Sequence, residues 1–121
     1  MKSVVEKRHG PEMLSAFGTW KALGYHLASI AASGPSSYPR YVAVFVPLPK
    51  ADQHLILDIE QDDLELVVAS EAASGYCATQ ITGTWGQGSF GKPTFAVVFE
   101  LRYPVPPQPP VVFPVLSWLA L

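Results

Sequence analysis

The chain of 121 residues contains no asparagine, a single cysteine and no long hydrophobic run. Without asparagine there is no N-glycosylation sequon and no metal-binding residue for a kinase catalytic loop. One thiol, Cys77, cannot form an internal disulfide and has no metal-ligand spacing, so cysteine usage leaves the redox compartment open. No stretch reaches the ~18 apolar residues a membrane span needs. The start, Met1 to Arg8, lacks the apolar core of a secretory signal. As written, the chain reads as soluble. Charge of either sign is sparse: the formal net charge is −2, and the basic residues are scattered. That pattern argues against nucleic acid or an anionic membrane surface as partner.

What is present is a repetition. Phe17-x-x-Trp20-x-x-x-Gly24-Tyr25, then Pro39-Arg40-Tyr41-Val42-Ala43-Val44-Phe45, returns as Leu64 to Gly75-Tyr76, then Pro93-Thr94-Phe95-Ala96-Val97-Val98-Phe99. The Gly-Tyr pair recurs after 51 residues and the final aromatic after 54, so the second copy carries three extra residues, placed in a Gly-rich loop. A module that stacks on a copy of itself is usually a scaffold or binding surface and only sometimes an enzyme. Each unit, at roughly 50 residues, is marginal alone, so the two are expected to share one core.

Pro11 suits the first turn of a helix, and Met13, Leu14, Phe17, Trp20 and Leu23 follow at helical spacing, with Gly24 as C-terminal cap. In the second copy Asp62 or Asp63 is the expected N-cap, Leu64, Val67, Val68 and Ala72 form the stripe, and Gly75 closes it. Strand candidates follow each glycine, Tyr25 to Ala32 and Tyr76 to Thr82, and hairpin partners after turn-rich loops, Tyr41 to Val46 and Phe95 to Leu101. Both faces of these closing strands are apolar, which predicts cover on more than one side. With short strands at Ser3 to Glu6 and His54 to Ile59, the chain reads as α+β: two tandem β-α-β-β units, antiparallel hairpins packed on helices. Residues 1–102 form one expected domain of two repeats, about 3–49 and 54–102. The Pro-rich tail, 103–121, reads as an extended segment; Pro104-x-x-Pro107 formally permits a polyproline ligand.

Several motifs resemble chemistry and lose it in context. Gly86-Gln87-Gly88-Ser89-Phe90-Gly91 matches G-x-G-x-x-G, yet a strand follows it where a dinucleotide fold requires a helix. No lysine lies on that strand, as a kinase would need. Ser89-x-x-Lys92 fits a β-lactamase-like S-x-x-K, but Gly91 and Pro93 oppose the helix that lets the lysine reach its serine. His9, His26 and His54 have no metal-ligand spacing. Cys77 lacks an evident base and reads as a packed or half-exposed thiol. The acidic cluster Asp58, Glu60, Asp62, Asp63 and Glu65 reads as solvating the start of the second helix. No catalytic residue, metal site or cofactor is assigned. The best recognition candidates are Trp85, Tyr38 and Arg40, since exposed aromatics and arginine make good binding anchors.

From Arg8-His9-Gly10 through Gly24-Tyr25-x-Leu27-x-x-Ile30 to Pro39-Arg40-Tyr41-Val42-Ala43-Val44-Phe45, the sequence resembles the bacterial tandem repeat domain family. The second unit keeps Gly75-Tyr76 and Phe95-Ala96-Val97-Val98-Phe99 but has Ile59-Glu60-Gln61 where the R-H-G start would stand. The matched positions Gly24, Tyr25, Tyr41, Phe45, Gly75, Tyr76, Phe95 and Phe99 are structural. The resemblance implies secreted proteins in which such repeats sit beside a β-lactamase-like serine hydrolase domain, as in the polyglycine hydrolases, and are the non-catalytic part. The expectation is a non-catalytic binding or accessory module for a protein, peptide or polysaccharide. The alternative is a fragment of a secreted serine hydrolase whose catalytic domain lies outside this chain.

Overall fold

The computed structural model describes residues 2–48, 51–84 and 92–102. Its elements run β1 (Val4–His9), α1 (Gly10–Ala22), β2 (His26–Ser33), β3 (Arg40–Val46), β4 (Gln53–Glu60), a 3₁₀ turn (Gln61–Asp63), α2 (Leu64–Ala73), β5 (Tyr76–Gly83) and β6 (Thr94–Leu101). Among the described residues the architecture is α+β, with two helices and two three-stranded antiparallel sheets. The sheets are ordered β1-β3-β2 and β4-β6-β5, so in each the last strand inserts between the two before it.

Local chemistry accounts for the helix boundaries. Pro11 occupies the first turn of α1, where its missing N–H would have had no intrahelical partner. Both helices end just before a glycine in the left-handed region, Gly24 at φ 86° and Gly75 at φ 88°. The amide of Gly24 donates to Lys21 O at 3.0 Å and that of Gly75 to Ala72 O at 2.9 Å. A side chain at either position would strain this backbone. The expected Asp62 or Asp63 cap is not made: neither residue's side chain caps the helix. The 3₁₀ turn already places Asp63 in helical conformation, whereas a capping residue needs an extended backbone.

The stripe of α1 is narrower than its spacing predicts. Met13 and Phe17 are buried and Trp20 is half-buried, but Leu14 and Leu23 are exposed. Trp20 Nε1 donates to Glu6 at 2.8 Å, which ties α1 to the inner face of β1. That bond, with Arg8 beside it, lowers the Glu6 pKa below the usual carboxylate value.

The larger buried cluster joins Met13 and Phe17 of α1 to Leu27, Ile30, Tyr41 and Phe45 of the first sheet, and also takes in Leu55, Ala96 and Val98 of the second. The smaller one sets Ile59, Val97 and Phe99 against Leu64, Val67 and Val68. Strand β6 is therefore buried on both faces. Strand β3 is not: Tyr41, Ala43 and Phe45 are covered, while Val42 is 39% exposed. The expectation of cover on both sides thus fails for the first sheet, whose outer face has no helix against it among the described residues.

Side-chain amides fasten the two sheets. The exposed edge of β2 would leave backbone groups unpaired, and residues of β4 and β5 supply partners. Leu27 N–H donates to Gln53 Oε1 at 2.8 Å while Gln53 Nε2 donates back to Leu27 O at 2.9 Å. Ile30 N–H donates to Gln80 Oε1 at 3.0 Å, Gln80 Nε2 to Ala28 O at 2.7 Å, and Ala32 N–H to Thr82 Oγ1 at 2.9 Å. Two glutamines thereby imitate a neighbouring strand.

Candidate functional site

A cleft of about 370 Å³ opens where the start of α1, the turn between β2 and β3, and β4 meet. That volume lies in the range of small-ligand pockets, roughly 300–1,000 Å³. Its walls include His9, Leu14, Tyr38, Tyr41, Leu57 and Asp58.

Each wall has a local cause. His9 ends β1 directly before α1, in register with Arg40 of β3. Its Nδ1 lies 3.0 Å from Pro39 O, and its ring stacks on Tyr38 with centroids 3.9 Å apart and planes at 24°. Tyr38 is 61% exposed yet held by this stack and by its amide, which donates to Pro35 O at 3.0 Å. The turn before it bends at Gly34, where φ is 83° and a Cβ would meet Tyr38 O at 3.3 Å.

Asp58 is the one non-glycine among the described residues with positive φ, 61°, and it sits where the pairing of β4 with β6 slips between Ile56 and Ile59. Aspartate tolerates this conformation better than most side chains, and such a bulge re-aims a residue off the sheet. Here Asp58 joins the cleft lining. Tyr41 is fully buried, and burial, then the Asp58 charge, raises its phenol above the ordinary pKa.

The cleft combines apolar surface from Leu14 and Leu57, over the buried Tyr41, with an aromatic pair and one carboxylate. It suits a ring or apolar side chain that also offers a hydrogen-bond donor. Ser36 and Ser37 line it too, so serine, histidine and aspartate meet in one place. A triad needs the imidazole Nδ1–H on the carboxylate, but His9 Nδ1 is engaged by a main-chain carbonyl instead.

A second polar group lies at the other end of the junction. Lys21 donates to Gln53 O and pairs with Asp52, both at 2.8 Å. Tyr76 OH donates to Asp52 at 2.6 Å, and its ring stacks on His54 at 3.9 Å. His54 Nδ1 lies 2.7 Å from Glu71. The Lys21 and Tyr76 hydrogen bonds hold Asp52 below the usual carboxylate range, and the Asp52 bond pushes Tyr76 up to about 12. Among the described residues, no group of three or more His, Cys, Asp or Glu is placed to hold a metal ion.

Of the sequence candidates, Tyr38 lines the cleft. Arg40 borders an adjoining hollow with Lys7, Arg8 and Val42, and His9 lines both. Trp85 lies outside the described residues, as do Ser89, the Gly-rich loop through Gly91 and the Pro-rich tail. Lys92 is exposed, 4.0 Å from Asp62. Sequence reasoning missed Asp58 as a cleft residue, because an acidic run before a helix looks like solvated surface. It also missed Gln53 and Gln80, whose partners lie 26 and 50 residues away. The sequence signals for the cleft were Tyr38, as an exposed aromatic, and His9-Gly10 within the R-H-G start.

By fold, the described part is an α+β protein whose two sheets share one strand order. Residues 10–47 match the model of a family described as polyglycine hydrolase-like, structural repeat. No curated protein matches the chain. Among the described residues, no helix is long and apolar enough to cross a membrane.

Proposed function

We propose that this chain is a non-catalytic binding or accessory module built from two β-α-β-β repeats, 3–49 and 54–102, in one domain. The observation that carries the proposal is the match of residues 10–47 to a structural repeat, a description of architecture rather than chemistry. The second half has the same order of strands and helix, the same positive-φ glycine after the helix, and a slip at the same place in the hairpin, Leu27/Ser29 and Ala78/Gln80. The cleft beside the His9–Tyr38 stack is the ligand site, and a peptide or polysaccharide is the ligand class, recognised by ring stacking and by the Asp58 carboxylate. The engagement of His9 Nδ1 by Pro39 supports the non-catalytic reading.

A second reading is favoured by the same family description: the chain is a piece of a secreted serine hydrolase whose catalytic domain lies elsewhere. It keeps the module non-catalytic and makes a glycine-rich peptide one probe to try. Titration of short peptides and oligosaccharides, followed by NMR shifts at Tyr38 and Leu57, tests the binding claim. Binding that is lost in Tyr38→Ala and weakened in Asp58→Asn, with the fold retained, is the expected outcome. Saturation unaffected by either change removes the cleft as the site. Turnover of an ester probe by this chain, abolished in Ser36→Ala, Ser37→Ala or Ser89→Ala, overturns the non-catalytic assignment.

A further inference from the structure

The junction between the two halves is half of a pattern that the ends leave open. Within the chain, α1 and the edge of β2 cover one face of the second sheet, the face carrying Leu55, Ala96 and Val98. Aligning Phe45 with Phe99 makes Val5, Val42 and Val44 the corresponding face of the first sheet. Val5 is 57% and Val42 39% exposed there, so among the described residues no element covers the face. At the opposite end, α2 packs the half-buried Leu64, Val67 and Val68 inward and leaves Glu65, Leu66, Ala69 and Ala72 exposed. Three of these are the counterparts of Leu14, Gly18 and Lys21 on α1, taking Gly24 with Gly75. Leu14 lines the cleft with Leu57, and Lys21 binds the main chain of Gln53.

Charge separates the same way. Residues 1–48 hold five basic and two acidic residues, whereas residues 51–121 hold two basic and eight acidic ones. The open sheet face carries Lys7, in register with Val42, and the open helix carries Glu65, just after Asp62 and Asp63. The two ends are thus complementary in sign, which steers association and fixes its direction.

We propose that a second copy of this chain docks its α2 face on the outer face of β1-β3-β2, head to tail, repeating the internal α1-to-sheet contact between molecules. Such a contact is heterologous, so it propagates rather than closing on itself as a two-fold dimer. Ser29 and Ala31 stand where Gln80 and Thr82 fasten the β2 edge internally. The intermolecular contact therefore lacks those amide bonds and is weaker than the internal one. The inference rests on the equivalence of the two halves and not on ligand binding in the cleft.

Sedimentation of the full chain over a wide concentration range, at low and high salt, tests it. Reversible association that weakens with salt is expected. Val42→Asp blocks one end and Leu66→Asp the other, so each variant alone is a monomer, and an equimolar mixture forms a dimer through the unblocked pair. Because both sites are exposed, circular dichroism should be unchanged. Lys7→Glu and Glu65→Lys provide milder variants: each weakens association, and both together in one chain restore it. A monomeric wild type at every concentration overturns the proposal, leaving the face to another occupant such as a further repeat; so does a mixture of blocked variants that stays monomeric. Neither result touches the repeat assignment, which stands or falls on the matched glycine substitutions below.

Discussion

Strands β3 and β6 are written almost alike, Tyr41-Val42-Ala43-Val44-Phe45 and Phe95-Ala96-Val97-Val98-Phe99, yet they live in different surroundings. In β6, Val97, Phe99, Ala96 and Val98 are all buried, because α2 covers one face while α1 and the first sheet cover the other. In β3 only Tyr41, Ala43 and Phe45 are buried, and Val42 faces outward. The difference is one of position in the stack. An inner sheet has a neighbour on each side; an end sheet has one. The same apolar alternation is core in one place and candidate contact surface in the other.

The largest expected effect comes from placing a charge on the corresponding faces of the two sheets. Val98→Asp, which buries a carboxylate without a partner, should cost about 4 kcal/mol or more and leave little native protein. Its counterpart Val44 is only partly covered and the neighbouring Val42 more exposed still. Val42→Asp should therefore cost under about 1 kcal/mol. Urea melts followed by near- and far-UV circular dichroism measure both. Equal losses would mean that the two faces do not differ in burial.

A smaller effect tests what joins the sheets. Gln53 is buried, with both amide atoms bonded to Leu27. Gln53→Ala leaves a buried N–H and C=O unpaired, for about 2 kcal/mol. Gln80→Ala, at a more exposed position, should cost about half that. Amide exchange should accelerate at Leu27 in the first variant and at Ile30 in the second. Exchange that rises uniformly instead would mean that the bonds are not local fasteners.

Next come the glycines that the halves share. Gly24→Ala and Gly75→Ala should each destabilise by about 1 kcal/mol, since both backbones sit at positive φ. Gly18→Ala, inside α1 with open space around its added methyl, should instead stabilise by about 0.5–1 kcal/mol. Matched losses at 24 and 75 support the equivalence of the units; loss at only one of them undoes it.

The smallest effect is in titration. The hydrogen bond that Tyr76 donates to Asp52 pushes its phenol pKa up to about 12. A phenol whose folded pKa is raised stabilises the fold fully below its unfolded pKa, about 10. That contribution is lost as pH rises toward 12. Asp52 works in the opposite sense: its folded pKa is depressed, so its contribution is present above its unfolded value and lost as pH falls through the folded one. Asp52→Asn should bring the Tyr76 titration down toward the ordinary tyrosine range, as read from phenolate absorbance. An unchanged Tyr76 midpoint would mean that Asp52 does not set it.

Most of the elements were legible because they rest on short-range rules. Pro11, Gly24 and Gly75 mark helix ends, and the apolar strings around Tyr41 and Phe95 mark strands. The exceptions have the same origin. The 3₁₀ turn at Gln61–Asp63 and the left-handed Asp58 follow from how β4 meets β6, which no local pattern encodes. Tyr38 was legible as an exposed aromatic, but the ring it stacks on, His9, is 29 positions away in sequence and reached only through the pairing of β1 with β3.

Most of the helices and strands thus follow from the sequence alone, because helix caps, turns and alternation act over a few residues. Long-range packing selects which apolar face becomes core, which glutamines stand in for a missing strand, and which residues gather into the cleft. Those outcomes depend on what lies across the stack, and a pattern of one strand or helix carries no record of its neighbours.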